Sequence, residues 1–145
     1  MAEMIPDQHG DIRLVTISNP AAGAEIVITQ DARVRWEIKS LMYTFVTDGT
    51  VANRESEVIF TVGAVEWLRL MPRGKQLASL TDIYSWYPGS KGVKGDAATV
   101  QGHILPGNLR FNNQVVISTD TVAMAAGDQY SNVRMIVEEW IEPLA

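Results

Sequence analysis

The amino-acid sequence predicts an all-β protein, a jelly-roll-like antiparallel β-sandwich of about eight strands with little helix. Three observations support this prediction. Short segments alternate apolar and polar residues with period two, clusters rich in Gly, Pro, Asn and Asp separate them, and no segment shows a sustained helical stripe capped at both ends. The 145 residues are enough for one domain with a single core. Residues 1–11 are expected to form an extended N-terminal arm.

Eight segments have the composition and alternation of strands, at fairly even spacing along the chain. Such spacing favours two sheets that bury alternate residues against each other. The predicted strands are 12–17, 24–29, 33–46, 55–62, 65–70, 80–87, 114–120 and 132–141. The predicted core residues are Val34, Trp36, Ile38, Phe45, Val58, Phe60, Val115, Ile117, Val133, Met135 and Val137.

The longest predicted strand, 33–46, changes the parity of its apolar positions near Ser40. The apolar residues before Ser40 have even numbers (Val34, Trp36 and Ile38), whereas after Ser40 apolar residues occupy odd positions (Leu41, Tyr43 and Phe45). A regular strand cannot place both sets on one face, because successive side chains point to opposite sides. A strand buried on both faces in its second half would resolve the conflict, but a β-bulge near Ser40 is favoured.

The segment "DGTVANRESEVIF" (48–60) joins the two most strand-like runs through a polar corner. Asp48 and Gly49 supply turn chemistry, because Asp tolerates left-handed geometry and Gly accepts a positive φ at little cost. Asn53 adds a side chain able to bind local backbone amides.

Composition excludes several classes of function. The chain has 12 Lys and Arg against 17 Asp and Glu, a net charge of -5, which argues against a dedicated nucleic-acid binder. Cysteine is absent, so disulfides, thiolate nucleophiles and Cys-based zinc sites are excluded. No segment has the pattern of a secretory signal or a membrane-spanning helix.

No catalytic, cofactor-binding or metal site is predicted. His9 and His103 are expected to be solvated surface residues, because each stands beside Gly or a polar residue in a predicted loop. Glu138 and Glu139 are neighbours on a predicted strand and therefore point to opposite faces, which favours a structural or interface role over glycosidase chemistry. A glutamate facing inward would need a cationic partner. The candidate partners are Arg33, Arg35, Arg54 and Arg134.

An aromatic cluster and a lysine-containing loop are the candidate interface residues. Tyr84 and Trp86 share one face of a predicted strand, and Tyr87 takes the other. These rings either fill the core and an interface or bind a sugar ring. Lys91 and Lys94 lie in the Gly-rich loop "YPGSKGVKGD", which does not match a nucleotide-binding loop and is expected to meet an acidic neighbour in an assembly.

Three stretches, 35–60, 105–111 and 127–142, together resemble small jelly-roll virion structural proteins of tailed bacteriophages, of the cement or decoration type. In that family a corner of the form T-D-x-T-V-A-N-R is paired with a C-terminal strand of the form D-Q-[YW]-S…V-E-E-W. The pattern falls on Asp48, Thr50, Val51, Ala52, Asn53 and Arg54, and on Asp128, Gln129, Tyr130, Glu138, Glu139 and Trp140.

The resemblance implies that these are fold and corner residues. Arg54 is expected to pair with Glu138 or Glu139, while Asn53 and Asp128 bind backbone amides at one end of the sandwich. It also implies a non-enzymatic capsid cement protein in the virion, assembled in the bacterial cytoplasm. The implied partners are the major capsid protein or other virion proteins and further copies of the chain, with a trimer favoured, and neither a specific nucleic acid nor a membrane. The alternatives are a tail, neck or baseplate component and a carbohydrate-binding module for host glycans.

Overall fold

The computed structural model describes residues 9–90 and 100–141. They form two β-sheets that share one hydrophobic core, which confirms the predicted all-β sandwich. None of these residues belongs to a helix that could cross a membrane. The strands are β1 (Asp11–Thr16), β2 (Val27–Thr29), β3 (Val34–Val46), β4 (Glu55–Val62), β5 (Val65–Leu70), β6 (Thr81–Tyr87), β7 (Val100–Ile104), β8 (Arg110–Phe111), β9 (Val115–Val122) and β10 (Gln129–Ile141).

The strand order is that of a jelly roll. The six-stranded sheet has the order β1-β10-β3-β6-β7, with β8 beside the first half of β3, and the four-stranded sheet has the order β2-β9-β4-β5. Apart from β7 and β8, the strands pair in a nested order: β1 with β10, β2 with β9, β3 with β6, and β4 with β5 in the central hairpin. The chain is therefore folded in half as one long hairpin and rolled into two sheets. Among the described strands, only β6 and β7 run parallel.

All eight predicted strands are present, and two further strands, β7 and β8, were not predicted. β7 has Gly102 at its centre, and glycine weakens the sequence signal of a strand. β8 has only two residues. β1 begins at Asp11, so the predicted N-terminal arm is too long by at least this residue, and residues 1–8 lie outside the described part of the chain.

The predicted bulge in β3 is confirmed, and its extra residue is Lys39. Ile136 of β10 pairs with Ser40 while the next residue, Val137, pairs with Ile38, so Lys39 has no opposite residue in β10. The extra residue lets the apolar side chains before and after the bulge point to the same face of the sheet. Ile38, at an even position, and Leu41, at an odd one, are therefore both buried in the core.

A second irregularity lies in β10. Ser131 pairs with Thr44 and Arg134 pairs with Met42, so two β10 residues stand where β3 has one. Asn132 takes up the distortion with φ of 51°, a left-handed conformation that asparagine tolerates better than most residues. Its N–H is bound by the side chain of Asn19 at 3.1 Å.

The predicted core is confirmed, with Val34 partly buried and the other predicted residues fully buried. Four aromatic side chains, Tyr43, Tyr84, Trp86 and Tyr130, add most to its volume. Tyr130 stacks on Phe45 at 4.3 Å between ring centroids, and Tyr43 stacks on Tyr84 at 5.2 Å. These contacts link the neighbouring strands β10, β3 and β6 on the core side of the six-stranded sheet.

Candidate functional site

A buried arginine ties the polar corner after β3 to the loop before β10. Arg54 has no exposed surface, and all five N–H groups of its guanidinium have acceptors. Nε and Nη2 each donate to a carboxylate oxygen of Asp128 at 3.0 Å. Nη2 also donates to Asp48 at 2.8 Å, and Nη1 donates to the carbonyls of Thr50 and Ala52. We call Asp48, Arg54 and Asp128 the arginine hub.

Backbone N–H groups bind the two carboxylates of the hub. Asp128 is buried and accepts from the N–H groups of Asp48 at 2.9 Å and Ala125 at 2.7 Å. Asp48 accepts from the N–H of Thr50 at 2.9 Å. This bond and the nearby charge of Arg54 hold the pKa of Asp48 below its ordinary value. The hub is thus an ion cluster in which every buried charge has a partner, the condition under which buried ions are tolerated.

The predicted pairing of Arg54 with Glu138 or Glu139 is wrong. β10 begins beside the corner, where Gln129 pairs with Val46, and runs to the other end of the sandwich, where Ile141 pairs with Val34. The two glutamates therefore lie far along the strand from the hub. The prediction that Asp128 binds backbone amides is confirmed, whereas Asn53 is exposed and takes no part in the hub's hydrogen bonds.

Sequence reasoning missed a glutamine that completes this end of the sandwich. Gln76 is buried, and its backbone N–H and C=O both pair with the backbone of Arg54. Its side chain donates to the carbonyl of Phe45 at 2.8 Å and accepts from the hydroxyl of Tyr84 at 3.0 Å. The polar loop around Gln76 carries no local pattern that could have indicated this burial.

Glu138 and Glu139 separate to different partners, as their adjacency on one strand predicted. Glu138 accepts from the N–H of Gly10 at 2.8 Å and lies 3.2 Å from the ammonium of Lys39. Glu139 accepts from the indole N–H of Trp36 and from Arg13, each at 2.7 Å. None of the four predicted arginines is the partner in these bonds.

Trp140, the last residue of the predicted cluster, is half-buried beneath a cation. The guanidinium of Arg110 lies 5.6 Å from its ring centroid. The backbone of Gly10, just before β1, also packs closely against the indole of Trp140. A Cβ added to Gly10 would lie 2.9 Å from atoms of this ring. Trp140 therefore anchors both β8 and the start of β1, a structural role.

Tyr84 and Trp86 are buried, which confirms the alternative that this pair fills the core and excludes both rings as interface residues. Burial also raises the pKa of the Tyr84 hydroxyl well above its ordinary value. Tyr87 points to the other side of β6, as predicted, and is 41% exposed. Two of the three rings proposed for sugar stacking are therefore inaccessible. Lys91 and Lys94 lie outside the described residues.

His103 is a core residue, contrary to the predicted surface position. It lies in β7, is 2% exposed, stacks on Tyr84 at 5.2 Å between ring centroids, and packs against Trp86 at 4.6 Å with its ring tilted by 30°. The error follows from the missed strand, since a residue placed in a loop is expected to be solvated. His9 is exposed, as predicted.

A chain of hydroxyl groups crosses the core between the two sheets. Tyr43 contacts Ser56 at 2.8 Å, Ser56 contacts Tyr130 at 2.6 Å, and Tyr130 contacts Thr121 at 2.6 Å. At one end the indole N–H of Trp86 can only donate, to Tyr43 at 3.1 Å. At the other end Thr121 donates to the carboxylate of Glu25 at 2.8 Å, which can only accept.

The carboxylate end fixes the direction of the hydrogen bonds in this chain. Because Thr121 donates its one hydroxyl proton to Glu25, Tyr130 must donate to Thr121, Ser56 to Tyr130 and Tyr43 to Ser56. The bond from Trp86 to Tyr43 is consistent with this order. Burial raises the pKa of Tyr43 and Tyr130, which keeps both hydroxyls protonated as this order requires. The chain alternates between the sheets and so fixes their relative position.

The outer face of the six-stranded sheet exposes large apolar side chains. Leu14 pairs with Ile136 across β1 and β10, and Tyr87 pairs with Ile104 across β6 and β7. Each alternates with core residues on its strand and so points away from the other sheet. We call this surface the apolar face, and its exposed members are Ile12, Leu14, Tyr87, Val100, Ile104 and Ile136. These residues form two groups, one on β1 and β10 and one on β6 and β7, on either side of β3. Exposed apolar groups of this kind mark candidate interaction sites.

An open groove lies between β5 and the segment that precedes β9. Its volume is about 570 Å³, and its lining includes Trp67, Leu109, Phe111 and Asn113. Trp67 is the extra residue of a bulge in β5, and its indole is 70% exposed. The described residues contain no cluster of three or more His, Asp or Glu side chains placed to hold a metal ion.

A scan against models of known protein families and searches of curated proteins and of solved structures found no match to the chain.

Proposed function

We propose that the protein is a non-enzymatic structural protein of a bacteriophage virion, a capsid cement or decoration protein that stabilises the head lattice. The observation that carries this proposal is the apolar face. Six large apolar side chains are exposed on one side of one sheet, which costs free energy in a free monomer and is offset when a neighbouring subunit covers them.

The arginine hub supports a scaffold role for the motifs that suggested this family. Asp48 and Arg54 belong to the first motif and Asp128 to the second, and their charged groups bind one another and backbone groups inside the fold. These side chains are engaged in hydrogen bonds that hold the fold together. This supports a structural role for the motif residues Asp48, Arg54 and Asp128, separate from the surface that would bind a partner.

In this role the protein would bind the major capsid protein through the apolar face, as a homo-oligomer for which a trimer is favoured by the resemblance. Many identical weak contacts repeated over a lattice add up to effectively permanent attachment. A sandwich whose corner and sheets are held by internal hydrogen bonds suits attachment to a lattice, because a rigid protein loses little conformational entropy when it binds.

The number of copies in purified particles tests the proposal. Quantitative mass spectrometry of virions is expected to give on the order of hundreds of copies per particle, as repeated attachment to a lattice requires. About six or twelve copies would instead assign the protein to a tail, neck or baseplate ring of closed symmetry. Absence from purified particles would contradict both assignments.

A further inference from the structure

We propose that two copies of the chain associate through β1, which pairs antiparallel with β1 of the second copy and joins the two six-stranded sheets. This inference rests on the proposed structural function and names one contact that it uses. Among the described strands, β1 is an edge strand of the six-stranded sheet with β10 as its one neighbour, and its residues pair with β10 in unbroken register from Asp11 to Thr16. An edge strand of this kind offers unpaired backbone groups to another strand.

Each of the other open edges carries a feature that discourages pairing. β2 has only three residues. β5 has a bulge at Trp67, a device that protects edges. β7 has five residues with Gly102 at its centre and no charged side chain to set a register. β1 has six residues and no bulge, and its outward side chains Ile12 and Leu14 are 68% and 61% exposed.

The charges of β1 select one register for self-pairing. In an antiparallel pair, opposite residues share a face, so β1 can pair with itself about Ile12, Arg13 or Leu14. Pairing about Arg13 would place two arginines opposite each other, which is unfavourable. Pairing about Leu14 would place Arg13 opposite Val15 and Asp11 opposite Ile17, so no ion pair would form. Pairing about Ile12 places Asp11 of each copy opposite Arg13 of the other copy, and both ion pairs form at once.

Arg13 is already positioned at this edge. Its guanidinium is held by Glu139 at 2.7 Å and lies 3.4 Å from the exposed Asp31, yet its side chain is still 44% accessible. Ile12 of the two copies would meet at the centre of the contact, and the apolar faces would become continuous across it. The contact is isologous and closes at two copies. If the protein forms trimers, this twofold contact would therefore link a copy in one trimer to a copy in another.

Charge-reversal variants of the full chain test the register. In Asp11→Lys, the new lysine faces Arg13 of the second copy, and in Arg13→Glu, the new glutamate faces Asp11. Each variant alone is expected to dimerise about tenfold more weakly in analytical ultracentrifugation, because two attractive pairs become repulsive. A mixture of the two variants is expected to form heterodimers with parental affinity, since every opposite pair then carries unlike charges.

Two further variants keep the test decisive if Arg13→Glu fails to fold. Ile12→Lys places two lysines at the centre of the contact and is expected to abolish the dimer, with an unchanged circular dichroism spectrum. Val100→Lys makes the same change on the outer face of β7, where the valine is 55% exposed, and is expected to leave the dimer intact. A monomeric parent chain, an intact Ile12→Lys dimer, or a dimer lost in Val100→Lys would each overturn the inference.

The outcome is separable from the proposed function. If the protein is abundant in virions but its β1 edges are unpaired in a particle map, the β1 contact alone is wrong. If the chain dimerises through β1 but is absent from virions, the virion function alone is wrong.

Discussion

The guanidinium of Arg54 shows how one buried charge can fix two loops that are far apart in sequence. Arg54 and Asp128 are separated by 74 positions and meet through two hydrogen bonds of 3.0 Å. Burying an ion is costly, and the cost is offset here by five satisfied donors and by carboxylates that also bind backbone N–H groups. Removing Arg54 therefore leaves the buried carboxylate of Asp128 without its counter-ion.

Replacing Arg54 by alanine is expected to lower the free energy of unfolding by about 3–5 kcal/mol, because the carboxylate of Asp128 is then buried without a counter-ion. Arg54→Lys is also expected to destabilise, since an ammonium has three donors and cannot match the planar fork. Urea denaturation followed by tryptophan fluorescence measures both. The exposed Arg134→Ala provides the control, with a change within about 0.5 kcal/mol. A parental midpoint for Arg54→Ala would contradict the hub.

Acid is expected to destabilise the protein through carboxylates whose pKa is lowered in the folded state. These are Asp48, bound by the N–H of Thr50, Glu37, bound by Lys39, and Glu66, bound by Arg69. A carboxylate whose pKa is lower in the folded state than in the unfolded state stabilises the fold at any pH above its unfolded pKa. This stabilisation is lost as the pH falls from about 4 through the folded-state pKa.

Thermal unfolding between neutral pH and pH about 2 tests this expectation. The melting temperature of the parent should fall on the acid side, and Asp48→Asn, which cannot titrate, should show a shallower fall. An equally steep acid limb in Asp48→Asn would show that the hub carboxylate does not contribute to acid sensitivity.

Pairs of strands in opposite sheets are held in position by the directed chain of hydroxyls. Tyr43 and Tyr130 belong to the six-stranded sheet, whereas Ser56 and Thr121 belong to the four-stranded sheet. Each bond therefore crosses the interface between the sheets. Apolar packing alone tolerates small slides, but a chain of hydrogen bonds with one allowed direction favours a single arrangement.

Tyr130→Phe is expected to lower the free energy of unfolding by about 1–3 kcal/mol, because the hydroxyls of Ser56 and Thr121 each lose a buried partner. Tyr87→Phe is the matched control on the outer face, and it is expected to change stability by less than about 0.5 kcal/mol. Guanidinium denaturation of both variants gives the comparison. Equal effects of the two substitutions would mean that the chain does not stabilise the sandwich.

The bulge in β10 predicts a distinctive response at Asn132. Asn132→Gly is expected to be nearly neutral, because glycine adopts the φ of 51° without strain. Asn132→Val is expected to cost about 1–2 kcal/mol, because a β-branched residue resists the left-handed conformation. Differential scanning calorimetry measures both, and a Val variant as stable as the Gly variant would contradict the assigned bulge.

Elements with a local signal could be predicted from sequence, and features that depend on long-range contacts could not. Alternation identified eight strands, and a change of parity located the bulge at Lys39 to within one residue. β7 was missed because Gly102 breaks its pattern, and the error carried over to His103. The partner of Arg54 was also wrong, because several carboxylates were chemically equivalent and only the path of β10 decides which one reaches it.

At the scale of the whole molecule, the outer sides of the two sheets differ in their exposed apolar side chains. The six-stranded sheet carries the apolar face beside an ion cluster in which Lys39 binds Glu37 and Glu138. The four-stranded sheet carries a cluster in which Arg69 binds Glu57, Glu66 and Asp120, together with the exposed Val27 and Val122. In the proposed attachment the first sheet turns towards the partner, because its exposed side chains form the neighbouring pairs Leu14–Ile136 and Tyr87–Ile104.

Replacement of Ile136 by lysine is expected to reduce the fraction of protein bound to particles by about tenfold or more, because a charge is then buried at the centre of the interface. The melting temperature should not change, since Ile136 is 41% exposed and outside the core. Val27→Lys, at a 55% exposed valine on the outer side of the four-stranded sheet, is the matched control. Sedimentation of variant protein with purified particles measures binding, and equal binding of both variants would contradict the proposed orientation.

The nested pairing of the strands also dictates when the protein can fold during synthesis. β10 leaves the ribosome after the other nine strands, yet it lies between β1 and β3 in the finished sheet. Until it arrives, β1 has no neighbour to pair with, and one long side of β3 is bare. Folding must therefore wait for nearly the whole described chain and proceed slowly, as expected where contacts are distant in sequence. During that interval the unpaired edges of β1 and β3 are open to strands of other chains, the condition that favours misassembly.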